Sequence, residues 1–127
     1  MELYNLESTK RTPKILFNPS QESFLISGRS IPENSIDFFK PAIDWLSEYL
    51  QEPLDETVLE VKLEYFNTSS SKCLVDIFRK IEMLHKNGKK AVIKWYFVEE
   101  DEDMQESGED FKKIIKAPVE LIKTNKF

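Results

Sequence analysis

The hydrophobic period changes twice between Thr57 and Val98, and that change limits the folds open to the chain. Thr57 to Phe66, TVLEVKLEYF, alternates apolar and polar residues with period two and is rich in β-formers. Behind it Leu74, Ile77, Phe78, Ile81 and Leu84 recur at helical spacing, and Gly88 stands where a left-handed C-terminal cap is expected. Lys90 to Val98, KAVIKWYFV, then reads as a buried strand. Strand, helix and strand in succession imply a right-handed crossover between largely parallel strands.

The remaining segments extend this pattern on both sides. Leu3 to Leu6 alternates apolar and polar residues. Lys14 to Phe17 and Ser23 to Ile26 flank the turn formers Asn18-Pro19-Ser20-Gln21-Glu22 and predict an antiparallel hairpin. Gly28 to Asn34 opens a helix. Ser30 and Glu33 have capping-box spacing, but Pro32 disfavours helical geometry at Ile31, so the start falls at Pro32 or at Asn34. Ile36, Phe39, Ile43, Leu46 and Leu50 form its core face. Phe38, Trp45 and Tyr49 lie on a neighbouring stripe and read either as an apolar partner patch or as the margin of a wide core. A third helix is expected around Glu109 to Lys116, with Phe111, Ile114 and Ile115 inward, and a last strand from Val119 to Ile122. The predicted order is β-β-β-α-β-α-β-α-β, an α/β chain forming a single domain over residues 1–127.

Composition narrows the function. A net charge of −5 argues against nucleic acid or an anionic membrane as a partner, because both demand a basic surface. One cysteine excludes an internal disulfide and any multi-cysteine zinc site. The N-terminal stretch has no apolar run of signal-peptide length, and no window approaches a membrane span. A soluble, cytoplasmic protein, monomeric when alone, is the expectation.

If the crossovers are right-handed, three loops leave the carboxyl edge of the sheet, where open α/β sheets carry their sites. They are Gly28 to Asn34, Asn67 to Ser71, and the acidic run Glu99 to Asp103. Asn67-Thr68-Ser69-Ser70-Ser71 supports two readings. It is a helix cap, because a helix start needs oxygen acceptors for its free N–H groups. It is also a candidate phosphoacceptor, because a phosphate there meets those donors and the positive end of the dipole, with Lys72 adding a cation. Arg29 reads either as a surface charge or as an anion partner. The acidic run is a solvated loop or, in a sharper reading, the metal site of a small enzyme; the EF-hand pattern fails for want of a glycine at the sixth position. Cys73 and His85 lie twelve residues apart on one predicted helix, roughly 18 Å at 1.5 Å per residue, which excludes a dyad. No nucleotide-binding glycine motif, zinc-protease motif or nucleophile elbow is present, so no enzyme, cofactor or metal is expected.

Specific strings then point to a family. Thr12-Pro13, Gly28-Arg29-Ser30-Ile31-Pro32-Glu33-Asn34, Tyr65-Phe66-Asn67-Thr68-Ser69-Ser70-Ser71-Lys72, Lys94-Trp95-Tyr96 with its acidic tail, and Gly108-Glu109-Asp110 resemble the SiaC family of bacterial regulatory phosphoproteins. The resemblance covers nearly the whole chain. It implies a STAS-like mixed sheet flanked by helices, as in the anti-sigma factor antagonists. It implies a partner-switching regulator phosphorylated by a serine/threonine kinase of the anti-sigma-factor type and dephosphorylated by a PP2C-like phosphatase. In the best-known branch the unphosphorylated form binds and activates a diguanylate cyclase; plain anti-sigma factor antagonism is the neighbouring possibility. The family's acceptor threonine falls on Thr68, which makes Arg29, Ser30, Glu33, Asn67, Ser69, Ser70 and Lys72 the expected switch surface.

Overall fold

Each strand in the second half of the chain returns beside the one before it. In the computed structural model, which describes residues 1–127, the elements are β1 (Tyr4–Leu6), β2 (Lys14–Asn18), β3 (Ser23–Ser30), α1 (Ser35–Tyr49), β4 (Glu56–Phe66), α2 (Thr68–Lys86), β5 (Lys90–Val98), α3 (Glu102–Ile114) and β6 (Val119–Thr124). One turn of 3-10 helix, Pro19–Gln21, joins β2 to β3. The element order is the expected one. The six strands lie in chain order, β1-β2-β3-β4-β5-β6. The first three pair antiparallel, with Ile15 opposite Ile26 and Phe17 opposite Phe24; β3 to β6 pair in parallel. No helix is long and apolar enough to cross a membrane.

Three crossovers step the same way and pack every helix on one face of the sheet, as crossovers of a single hand must. That face holds the core. Ile15, Phe17, Phe24, Ile26, Leu59, Val61, Leu63, Ile93, Trp95 and Phe97 point into it, against Phe39, Leu46, Leu74, Ile77, Phe78, Ile81 and Phe111 from the helices. The other face is uncovered. Lys90 to Val98 is therefore buried only at alternate residues, not throughout: Val92, Lys94, Tyr96 and Val98 are half-buried on the open side. There Glu60, Lys94 and Glu120 stand side by side in register as a row of alternating charge. The Tyr96 hydroxyl donates to Glu60 at 2.7 Å, which with burial pushes it up to about 12, and Lys62 Nζ sits 4.8 Å from the Tyr96 ring centre.

The apolar stripes mark the helix faces with three exceptions. Ile36, expected in the core, is 72% exposed, because α1 begins only at its Asn34 cap and Ile36 points away from the sheet in the first turn. Ile114, also expected inward, is 46% exposed, because α3 ends there and the chain turns outward before Ile115 re-enters the core. Tyr49 is 1% exposed; its hydroxyl makes a 2.8 Å hydrogen bond with Thr57 and accepts from Leu54 N. The third helix starts seven residues earlier than Glu109, since Asp101 caps it by accepting from Met104 N at 3.1 Å. Gly88 closes α2 as expected: Gly88 N donates to His85 O and Lys89 N to Leu84 O, the paired bonds of a left-handed cap.

Near the carboxyl edge β4 carries one extra residue. Gly28 pairs with Leu63, but Arg29 pairs with Tyr65, which leaves Glu64 bulged. Glu64 and Tyr65 both lie exposed, and Phe66 turns back inward against Trp95 (5.9 Å) and Phe111 (6.1 Å). Beyond Val61 and Trp95 the strands β4 and β5 part: β4 continues with β3 to Phe66, and β5 with β6 to Val98.

Two buried side chains, Trp95 and Glu82, hold the layers together. A Cβ on Gly108 would lie 2.5 Å from Trp95 Cδ1 and 2.6 Å from Leu121 Cδ2. Trp95 is fully buried and pinned by its Nε1 donating to Met104 O at 2.9 Å, so it has no room to give. Gly108→Ala should destabilise by about 1–3 kcal/mol in denaturant unfolding.

Glu82 is the charged residue buried in α2. Its carboxylate accepts from Lys116 N at 2.6 Å and from Arg79 Nη1 at 3.0 Å, with Lys86 at 3.6 Å. The Lys116 amide above all, then Arg79 and Lys86, hold it below the ordinary 4.5 against the opposing pull of burial. Its folded value lies below its unfolded one, so its stabilisation is full above about pH 4.5 and drains as pH falls below that. Glu82→Gln should cost about 1–3 kcal/mol at neutral pH. The gap between variant and parent should narrow in thermal melts at pH 3.

Candidate functional site

The carboxyl edge is built where β3 runs into α1 and β4 runs into α2. Asn67 N donates to Ser30 O at 2.9 Å, which locks the end of β4 to the end of β3. Asn67 then caps α2, its Oδ1 accepting from Ser70 N at 2.9 Å. Asn34 caps α1 in the same way, accepting from Asp37 N at 3.1 Å and donating through Nδ2 to Asp37 Oδ2 at 3.0 Å. The Ser30 and Glu33 capping box does not form, because Ser30 is the last residue of β3 and faces α2 instead.

The hydroxyls of the run after Asn67 have different fates. Ser70 is fully buried and bonds the Ser30 hydroxyl at 2.8 Å and the Ser30 carbonyl at 3.2 Å. Ser69 donates to Asn67 Oδ1 at 3.2 Å and meets the Ser35 hydroxyl at 2.7 Å. Ser71 donates to Thr68 O at 2.6 Å. Thr68, the first residue of α2, is exposed, and its hydroxyl is the one of the four that makes no hydrogen bond. Capping and a free hydroxyl are therefore divided among neighbouring residues.

Around Thr68 the cations are arranged in two ways. Lys72 lies one turn along α2 at the i+4 position and is exposed. Arg29 is exposed at the end of β3, its guanidinium 5.7 Å from the centre of the Tyr65 ring. Glu33 is exposed in the turn before α1. Of the expected switch surface, Arg29, Glu33, Ser69 and Lys72 are exposed and Asn67 is half-buried. Ser30 and Ser70 lie beneath the surface, where their hydroxyls satisfy each other.

The acidic run leaves the same edge of the sheet behind β5. Asp101 caps α3, and Glu102 and Asp103 occupy its first turn, where the helix dipole favours negative charge. Glu100 and Asp101 line a shallow cleft with Glu64, Val98 and the segment Asn125, Lys126, Phe127. This cleft opens where β4 and β5 part, with Glu64 of one strand and Val98 of the other on its walls. No group of three or more His, Cys, Asp or Glu side chains is gathered where it could hold a metal ion.

The sequence pattern passes over Ser35, whose only signal is a serine directly after the Asn34 cap. The aromatic patch also takes a different form. Tyr49 is core, Phe38 is half-buried edge-on to Phe39, and Trp45 is half-buried. Trp45 stacks on Tyr49 at 5.3 Å, touches Phe17 and Phe24, and donates from Nε1 to Glu2 O at 3.0 Å. Trp45→Ala should thus lower unfolding stability by on the order of 2 kcal/mol, less than the full loss of a buried aromatic. Urea titration measures this directly.

The model of the SiaC family of regulatory phosphoproteins matches residues 6–124. A protein of Pseudomonas aeruginosa strain UCBPP-PA14 is 30% identical over 114 residues, which covers 90% of this chain and 90% of that protein. The structure of apo-SiaC from Pseudomonas aeruginosa superposes with a TM-score of 0.88 at 28% identity, covering 96% of this chain and 99% of that one. SiaC bound to the diguanylate cyclase SiaD, whose activator it is, superposes with a TM-score of 0.89 at 28% identity, covering 95% and 99%.

Proposed function

The chain belongs to the SiaC family of regulatory phosphoproteins, and on that premise we propose that it is a non-enzymatic partner switch controlled at Thr68. Its unphosphorylated form binds and activates a diguanylate cyclase in the cytoplasm; the similar SiaC of Pseudomonas aeruginosa, in complex with the cyclase SiaD as its activator, supports this. A serine/threonine kinase of the anti-sigma-factor type writes the mark and a PP2C-like phosphatase removes it. The observation that carries this reading is the free, exposed hydroxyl of Thr68 beside three serines whose hydroxyls are already engaged. A kinase needs an accessible oxygen, and Thr68 offers one without breaking the cap.

Phosphate adds about −1.5 to −2 charge at pH 7. In the free protein that charge lies at the start of α2, near Lys72, where the helix dipole and the unpaired first-turn N–H groups favour it. Against a partner that covers Thr68, the same group must shed water without a matching donor, which is costly. Modification therefore favours the free state over the complex.

Thr68→Asp tests both halves at once. An acidic side chain in the first turn should leave stability unchanged or raise it by about 0.3–1 kcal/mol. Binding to the diguanylate cyclase of the same cell, measured by calorimetry, should weaken at least about tenfold, which corresponds to roughly 1.4 kcal/mol. Thr68→Ala should keep the parent affinity. Equal affinities for the alanine and aspartate variants would overturn the charge switch.

A further inference from the structure

The protons of the serine cluster beneath Thr68 can be counted. The Ser70 hydroxyl donates to Ser30 O, so its single proton is used and the contact between the two hydroxyls has Ser30 as donor. The Ser69 hydroxyl donates to Asn67 Oδ1, so its contact with Ser35 has Ser35 as donor. The Ser35 hydroxyl also lies 3.5 Å from the Ser70 hydroxyl, so the cluster is two short pairs joined by one long contact. Ser30 and Ser70 form a fully buried anchor between β3 and α2. Ser35 and Ser69 form a bond nearer the surface, between the first residue of α1 and the second of α2.

Asn67 Oδ1 is the pivot, since it accepts from both Ser70 N and the Ser69 hydroxyl. A phosphate on Thr68 adjoins the same turn and is a stronger, charged acceptor than an amide oxygen. It competes for the Ser69 hydroxyl, the more exposed and longer of the two bonds. When that hydroxyl turns toward phosphate, the lone pair used by Ser35 turns away with it, and Ser35 exchanges a 2.7 Å bond for the long 3.5 Å contact to Ser70. Ser35 opens α1, whose first turn also holds the Asn34 cap and the exposed Ile36. The buried Ser30–Ser70 anchor stays in place, because breaking it would strand polar atoms away from water.

We propose that the Ser69–Ser35 hydrogen bond couples the phosphorylation state of Thr68 to the first turn of α1, so that a partner reads a loosened α1 as well as a new charge. The inference rests on the assignment of Thr68 as the acceptor, and it extends the switch through the buried Ser35 to the exposed Ile36.

Phosphothreonine placed at position 68 during synthesis makes the test independent of any kinase, with amide hydrogen exchange as the readout. Exchange at Asp37, Phe38 and Phe39 should rise roughly three- to tenfold on phosphorylation, the value of about one neutral hydrogen bond. Ser69→Ala should give the same rise without phosphate, and phosphate on that variant should add nothing in α1. Ser35→Ala, the other end of the bond, should behave alike. Exchange in Leu59 to Leu63 should stay unchanged throughout. An equal α1 response to phosphate with and without the Ser69 hydroxyl, or no α1 response at all, overturns the coupling. Titrating the phosphorylated protein with the cyclase separates this from the Thr68 assignment. Weakened binding with a quiet α1 removes the coupling and keeps Thr68 as the switch; a loosened α1 with undiminished binding keeps the coupling and removes Thr68 as the control of that partner.

Discussion

Three crossovers of one hand, each advancing to the next strand, set the rest of this molecule. They force all three helices onto one face, leave the other face open, and deliver β3 and β4 to the same edge with their helices beginning side by side. Helix starts carry unsatisfied N–H groups. Each start has its own acceptor, Asn34 for Asp37 N and Asn67 for Ser70 N, and the serines that topology brings together there bond one another across the junction. The hydroxyl cluster is thus a consequence of topology before it is a feature of function.

Most of the fold is legible in the sequence, because each element rests on a local signal. The period-two run of β4, the apolar stripe of α2 and the turn formers between β2 and β3 need no tertiary information. The misses share one cause. Ile36, Ile114 and Tyr49 sit on helical stripes that extend past, or lie beside, the surface that the sheet covers. Period alone marks a stripe; how wide and how long the covered part is depends on where the caps fall and how the helix lies. Lys90 to Val98 misleads in a related way, since apolar residues on an open sheet face look like core residues in a one-dimensional pattern.

The site divides along the same line. The Asn67 cap and the exposure of Thr68 follow from a dense hydroxyl run ahead of a helix. That Ser70 is buried, that Ser30 faces it and that Ser35 joins Ser69 are long-range facts, linking residues 34 to 40 positions apart. The sequence contains every hydroxyl but not the pairing. The acidic run shows the converse: its charge density invites a metal, while its geometry places Asp101 at the N-cap of α3 and Glu102 and Asp103 in that helix's first turn.

The bulge at Glu64 governs more than the shape of one strand. Along β4 the side chains keep strict odd–even parity up to Leu63, and one surplus residue reverses it, so Tyr65 looks outward and Phe66 inward. Everything downstream inherits that count, including which side of the edge presents Asn67 and Thr68. Substitutions in this stretch alter a contact. A change of length by one residue would exchange inside for outside across the whole junction. Length between Leu63 and Asn67 is therefore a stricter requirement on chains of this architecture than the identity of the residues that fill it.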